Sequence, residues 1–168
     1  MEYVKLNGSN ILEIGIKDYK GNPTGDVLTF DIEDIETAEK WNACAEKHVD
    51  NVNRFKFDIA VIEKKQDTKK KGSLMSENEK AKHKRIKEFY RDEMEALDMF
   101  LGENGTRKLL AGRNPYISMY DDISEALEKD VLPHLKTNYT SLVDKIKQKY
   151  KVVETTADVF NMDIEDDN

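Results

Sequence analysis

Three histidines, one cysteine, two glycine-containing loops and two charged runs are the residues of this chain that could carry chemistry. His48, His83 and His134 fall in three different predicted elements. They are read as lacking a second His or Cys at the i+3 or i+4 spacing of a helical metal site, and therefore as structural or surface residues. Cys44 lies between Ala43 and Ala45 in a predicted helix, and the nearby Lys40 and Lys47 face elsewhere. A thiolate needs a cation against it, so Cys44 is expected to pack rather than react. The loop Gly21-Asn22-Pro23-Thr24-Gly25-Asp26 lacks the ending of a phosphate loop, and Gly102-Glu103-Asn104-Gly105-Thr106 puts an acid where a phosphate needs donors. Asp163, Glu165 and Asp167 alternate as calcium ligands can, but without the central glycine or the bidentate glutamate of a calcium loop. The expectation is a non-enzymatic protein with no cofactor and no metal.

The charged runs point to contacts instead. Lys64, Lys65, Lys69, Lys70 and Lys71 continue into Lys80, Lys82, Lys84, Arg85 and Lys87, with Glu63, Asp67, Glu77, Glu79 and Glu88 interspersed. This is the pattern of a solvated loop and a polar helix face, and contact with the acidic C-terminus is the second reading. Phe89 and Tyr90, the first aromatics after the run, fall on an apolar stripe, which leaves no stacking platform for bases.

Of the 168 residues 34 are acidic and 27 basic, a net charge of −7. Residues 154–168 hold six of those acids and no base, leaving 28 acids against 27 bases in the body. A nearly neutral body argues against nucleic-acid binding, which needs a surplus of Lys and Arg on the docking face. No apolar run approaches the roughly 18 to 20 residues of a membrane span, and MEYVKLNGSN lacks the pattern of a signal peptide. One cysteine allows no disulfide within the chain, so a reducing cytoplasm is the expected setting.

The elements that would position these residues follow from periodicity. Leu12, Ile14 and Ile16 alternate with polar or small residues, as do Leu28, Phe30 and Ile32. With residues 3–6 as a third candidate, Asn7-Gly8 as a tight turn and residues 20–25 as a longer one, a three-stranded antiparallel meander is predicted. After Asp34 as N-cap, Ile35, Ala38, Trp41, Ala45, His48 or Val49, Val52, Phe55, Ile59 and Ile62 recur at helical spacing, predicting a helix over 34–65. Residues 64–78 (KKQDTKKKGSLMSEN) lose the period and read as an exposed connection. Ser76 with Glu79 forms a capping-box signature for a second helix, whose stripe runs through Ile86, Phe89 or Tyr90, Met94 or the adjacent Glu93, Leu97 and Phe100 or Leu101. A short apolar piece occupies 108–111. Asn114-Pro115 predicts a third helix over 115–130, and Pro133 either kinks it or opens a new first turn before Leu135, Leu142 and Ile146. The resulting fold class is α+β: a small three-stranded antiparallel meander packed on three to four helices. Residues 1–151 form one domain, and 152–168 a flexible acidic tail in which Val159, Phe160, Met162 and Ile164 are apolar anchors.

The order of these parts resembles a known family. Asp-Ile-Glu-Thr-Ala-Glu-Lys-Trp at 34–41, the charged break, Met-Phe-Leu-Gly-Glu-Asn-Gly-Thr at 99–106 and Gly-Arg-Asn-Pro at 112–115 resemble small tail-assembly proteins of long-tailed phages and prophages of Gram-positive bacteria. The resemblance spans about residues 1–150, and its clearest piece is 98–114. It implies a tail assembly chaperone of the bacterial host cytoplasm that binds the tape-measure protein and helps recruit tail-tube subunits. An oligomer of identical chains would be compatible with that role. Phe100, Leu101, Gly102, Gly105, Thr106 and Arg113, with the tail anchors, are then the candidate protein-binding residues. The alternative is a structural virion component, a head-tail completion or tail-terminator protein. A chain truncated after Val153 is expected to keep the helical circular dichroism and cooperative melting of the full chain; an unfolded product would refute the division into body and tail.

Overall fold

The structure is a computed structural model that describes residues 11–150. It is an α+β fold: strands β1 (Ile11–Lys17) and β2 (Pro23–Asp31), then helices α1 (Ile35–Glu63), α2 (Glu77–Leu101), α3 (Gly105–Leu110), α4 (Met119–Asp130) and α5 (Leu132–Tyr150). Among the described residues the sheet has two strands, not the three of the expected meander. The third candidate, residues 3–6, lies outside the described residues, as does the whole segment 151–168.

Alternation sets the hairpin. Leu12 faces Phe30 and Ile14 faces Leu28 across an antiparallel register, so the apolar residues of both strands share one face. Ile16, Leu28 and Phe30 are buried on that face. The turn is organised by Asp18, whose carboxylate accepts the backbone N–H groups of Lys20 and Asn22, each at 2.8 Å. Those donors hold the Asp18 carboxyl below its usual value.

The sheet face is covered by an aromatic joint. Phe100 of α2 stacks on Phe30 with centroids 5.2 Å apart and meets Trp41 of α1 edge-on at 5.1 Å. Ala96, Leu97, Leu101, Leu110, Met119, Ile123, Leu127 and Val131 complete one continuous core at this end of the molecule. Beyond it α1 and α2 run on as a long helical hairpin, α1 alone spanning about 43 Å at 1.5 Å per residue.

Helix starts follow side-chain caps. Asp34 accepts from Glu36 N–H at 3.0 Å, and Ser76 and Glu79 complete the reciprocal capping box of α2. The lysine-rich connection is tied down rather than loose: Asp67 accepts Asn78 N–H at 3.0 Å, and Asn78 Nδ2 donates to the Lys65 carbonyl at 2.9 Å. Helix α3 begins at Gly105, ahead of the apolar piece, because Asp98 from the last turn of α2 accepts both Thr106 N–H (2.7 Å) and the Thr106 hydroxyl (2.6 Å). An acid from a neighbouring helix thus does the work of an N-cap.

Helix α4 starts at Met119, not at Pro115. Arg113 lies over the Tyr116 ring at 5.2 Å and the Tyr116 carbonyl accepts Met119 N–H at 3.1 Å, so residues 115–118 stay a turn. Pro133 opens the first turn of α5, where its missing N–H is harmless. At the α2–α3 corner Gly102 adopts φ of +80°, and a Cβ on Gly105 would stand 2.3 Å from Leu101 Cβ. Gly105→Ala is therefore expected to destabilise the fold by about 1–3 kcal/mol in urea unfolding, and an unchanged midpoint would show that the corner has slack.

Candidate functional site

Inside the α1–α2 hairpin lies a cluster of polar side chains. Glu93 of α2 is 2% exposed and places Oε2 2.5 Å from His48 Nδ1, while Asn51, 1% exposed, donates Nδ2–H to Glu93 Oε1 at 2.9 Å. Both carboxylate oxygens are therefore engaged. The His48 ring stacks on Tyr120 of α4 at 3.6 Å and 5°, fixing its plane. Cys44 stands one turn before His48 and is fully buried.

The electrostatics of the cluster do not favour nucleophilic chemistry. Burial pushes the Cys44 thiol up to about 11, offset in part by the Tyr120 hydrogen bond and reinforced by the Glu93 charge. Burial also raises the Tyr120 phenol, with the Cys44 charge next in effect. At neutral pH neither is ionised, and Cys44 has no route to solvent. Among the described residues no group of three histidine, cysteine, aspartate or glutamate side chains is arranged to hold a metal ion.

Farther along the hairpin the pairing continues. Arg85 of α2 is buried and donates Nε–H to Asp58 of α1 at 2.6 Å, and its Nη1 lies 3.6 Å from Asp92. Asp92 also accepts from Arg54 of α1. Arg85 Nη2 is buried without a hydrogen-bond partner, and the guanidinium rests over Phe55 at 5.8 Å. At the hairpin tip Lys82 of α2 pairs with Glu63 of α1 at 2.7 Å. Three of the carboxylates interspersed in the basic run are matched to it, Glu63 with Lys82, Glu77 with Lys80 and Glu88 with Lys84, while Asp67 and Glu79 take the backbone N–H groups of Asn78 and Ser76.

The six candidate binding residues in the body divide. Phe100, Leu101, Gly105 and Thr106 are buried at the α2–α3 corner, where Phe100 makes the aromatic joint and Thr106 takes the Asp98 carboxylate. Gly102 is exposed and caps α2, and Arg113 is exposed over Tyr116 at the other end of α3. The run at 100–106 is thus a packing and capping motif in this conformation. The anchors Val159, Phe160, Met162 and Ile164 lie outside the described residues.

Sequence reasoning passes over Asn51, leaves Glu93 as an alternative to Met94 on the α2 stripe, and reads His48 apart from both. A signal exists, and it corrects the reading that no histidine has a His or Cys at i+3 or i+4: Cys44 and His48 are four residues apart and so share a helix face. The surface offers two larger concavities. One, of about 1110 Å3, opens between α1 and α5 over Ile35, Ala38, Trp41, Leu132 and Leu135. The other, of about 690 Å3, follows the outer face of α2 beside Asn114 and Pro115. No protein-family model, curated protein or solved structure matches the chain.

The buried thiol has a pH signature. In the unfolded chain Cys44 ionises near its ordinary value of 9.0 and in the folded one near 11, so its contribution to stability is full below pH 9 and is lost as pH rises toward 11. In urea titrations across that window Cys44→Ala is expected to lose stability less steeply than the parent, and equal slopes would place the thiol in contact with water.

Proposed function

We propose that this chain is a non-enzymatic tail assembly chaperone of a long-tailed phage or prophage, which binds the tape-measure protein and helps recruit tail-tube subunits. The reading rests on the resemblance carried by residues 34–41, 99–106 and 112–115, and one structural observation supports it best. The groove between α1 and α5 presents Ile35 and Ala38 to solvent beside the half-buried Trp41 and Leu132, with Ile35 52% exposed, in a space of about 1110 Å3. An apolar helix laid in that groove would bury its stripe against these side chains, the helix-in-groove mode by which amphipathic segments are recognised. A factor that keeps long apolar helices from aggregating needs a surface of this kind.

The cluster around Glu93 supports the non-enzymatic half of the reading. Its acid is saturated by two partners, its thiol is protonated and buried, and its phenol is raised in pKa. Such a group holds helices together and has no free base or nucleophile to offer.

Co-expression with a tape-measure protein of a long-tailed phage tests the reading. The expected result is a soluble complex that co-purifies, abolished by Ile35→Glu with Ala38→Glu, both exposed positions whose replacement leaves circular dichroism unchanged. Failure to solubilise or co-purify the tape-measure protein would contradict it. Mass spectrometry of purified virions separates the alternative, since a chaperone is absent from the particle and a head-tail completion or tail-terminator protein is present in stoichiometric amount.

A further inference from the structure

The groove on the outer face of α2 differs from the α1–α5 groove in charge. Its floor is Ile86, Tyr90 and Met94, spaced four residues apart on one stripe, and its rim carries Lys87, Arg91 and Arg107. Lys87 and Arg107 form no ion pair among the described residues. The two acids of the groove are already occupied: Glu95 lies 3.7 Å from Arg91, and Asp98 takes Thr106 N–H and hydroxyl. Arg91 is shared with Glu95 and Asp92, which leaves an apolar strip edged by the positive charges of Lys87 and Arg107. The α1–α5 groove instead has Glu39 and Glu128 against a single Lys136.

We propose that the α2 groove is the docking site for the chain's own C-terminal segment, residues 158–167. That segment reads Asp-Val-Phe-Asn-Met-Asp-Ile-Glu-Asp-Asp: Phe160, Met162 and Ile164 alternate with polar residues, five carboxylates lie within ten positions and no cation is present. In an extended chain those three apolar side chains span about 13 Å, against about 12 Å between Ile86 and Met94 along the helix. Apolar groups would meet Ile86, Tyr90 and Met94, while Lys87 and Arg107 on the rim attract the five carboxylates of the segment. The charge match selects this groove over the larger one, whose acids would repel the same segment. The inference stands on charge and spacing alone and does not depend on the tail-assembly reading. It also explains why 15 residues that hold six acids and no base accompany a body otherwise balanced in charge.

The test uses the full chain with the photoreactive residue p-benzoylphenylalanine placed at Phe160, irradiated and read by mass spectrometry of the cross-linked peptides. The expected cross-links fall on residues 83–98 or 107–115. Their yield should drop about threefold or more in 1 M salt, where screening is strong, and in a variant carrying Arg91→Glu and Arg107→Glu. Both arginines are exposed, so the variant folds, which circular dichroism verifies. Cross-links concentrated on the α1–α5 groove, cross-links scattered over the surface, or a yield indifferent to salt and charge reversal would each overturn the proposal.

Discussion

A buried carboxylate dictates how the two long helices meet. Glu93 is removed from water on α2 and has to be matched by groups on the facing helix. His48 and Asn51, three residues apart on α1, supply both partners. A slip of α1 along α2 by one residue would leave that carboxylate and the two α1 side chains without their hydrogen bonds. The same slip would part Arg85 from Asp58 and Asp92 from Arg54, the pairs that cross from α2 to α1. Such pairs add little net stability over apolar packing, but breaking one leaves an uncompensated charge at a cost of about 3–5 kcal/mol. Their contribution here is therefore to the register of the hairpin.

That register positions everything else. With α1 set against α2, Trp41 arrives at Phe100 and closes the joint over Phe30 of the sheet. Tyr120 arrives over His48, which seats α4 against the hairpin. Because the inner face of α1 is given over partly to polar pairing, some of its apolar side chains remain outside: Ile35, Phe57 and Val61 are exposed. Ile35 lines the α1–α5 groove. The exposed apolar surface invoked for partner binding and the buried polar network thus have one cause, a helix whose inner face carries His48, Asn51 and Asp58.

Much of the local structure was legible in the residues. Leu12, Ile14 and Ile16 against Leu28 and Phe30 marked a hairpin, and Asp34 and the Ser76–Glu79 box marked the helix starts. The α3 and α4 boundaries were not legible, because they depend on tertiary partners: Asp98 reaching across to Thr106, and Arg113 stacking on Tyr116. The candidate site was largely hidden for the same reason. On periodicity, position 93 or 94 could face inward, and apolar bias favours Met94; Glu93 faces inward because two residues more than forty positions away satisfy it. Phe100, Gly105 and Thr106 of the run at 100–106 are buried in the α2–α3 corner, a placement that depends on Leu101 and Asp98 and is not written in the local pattern.

The central claim, that buried polar pairing holds α1 in register on α2, is tested most directly by a double-mutant cycle on Asn51 and Glu93 in urea unfolding. Both residues are almost wholly buried and bonded at 2.9 Å. Asn51→Ala, Glu93→Ala and the double variant are expected to give a coupling energy of about 1–3 kcal/mol, the range for residues in one network. A coupling indistinguishable from zero, with the single substitutions adding independently, would contradict the account.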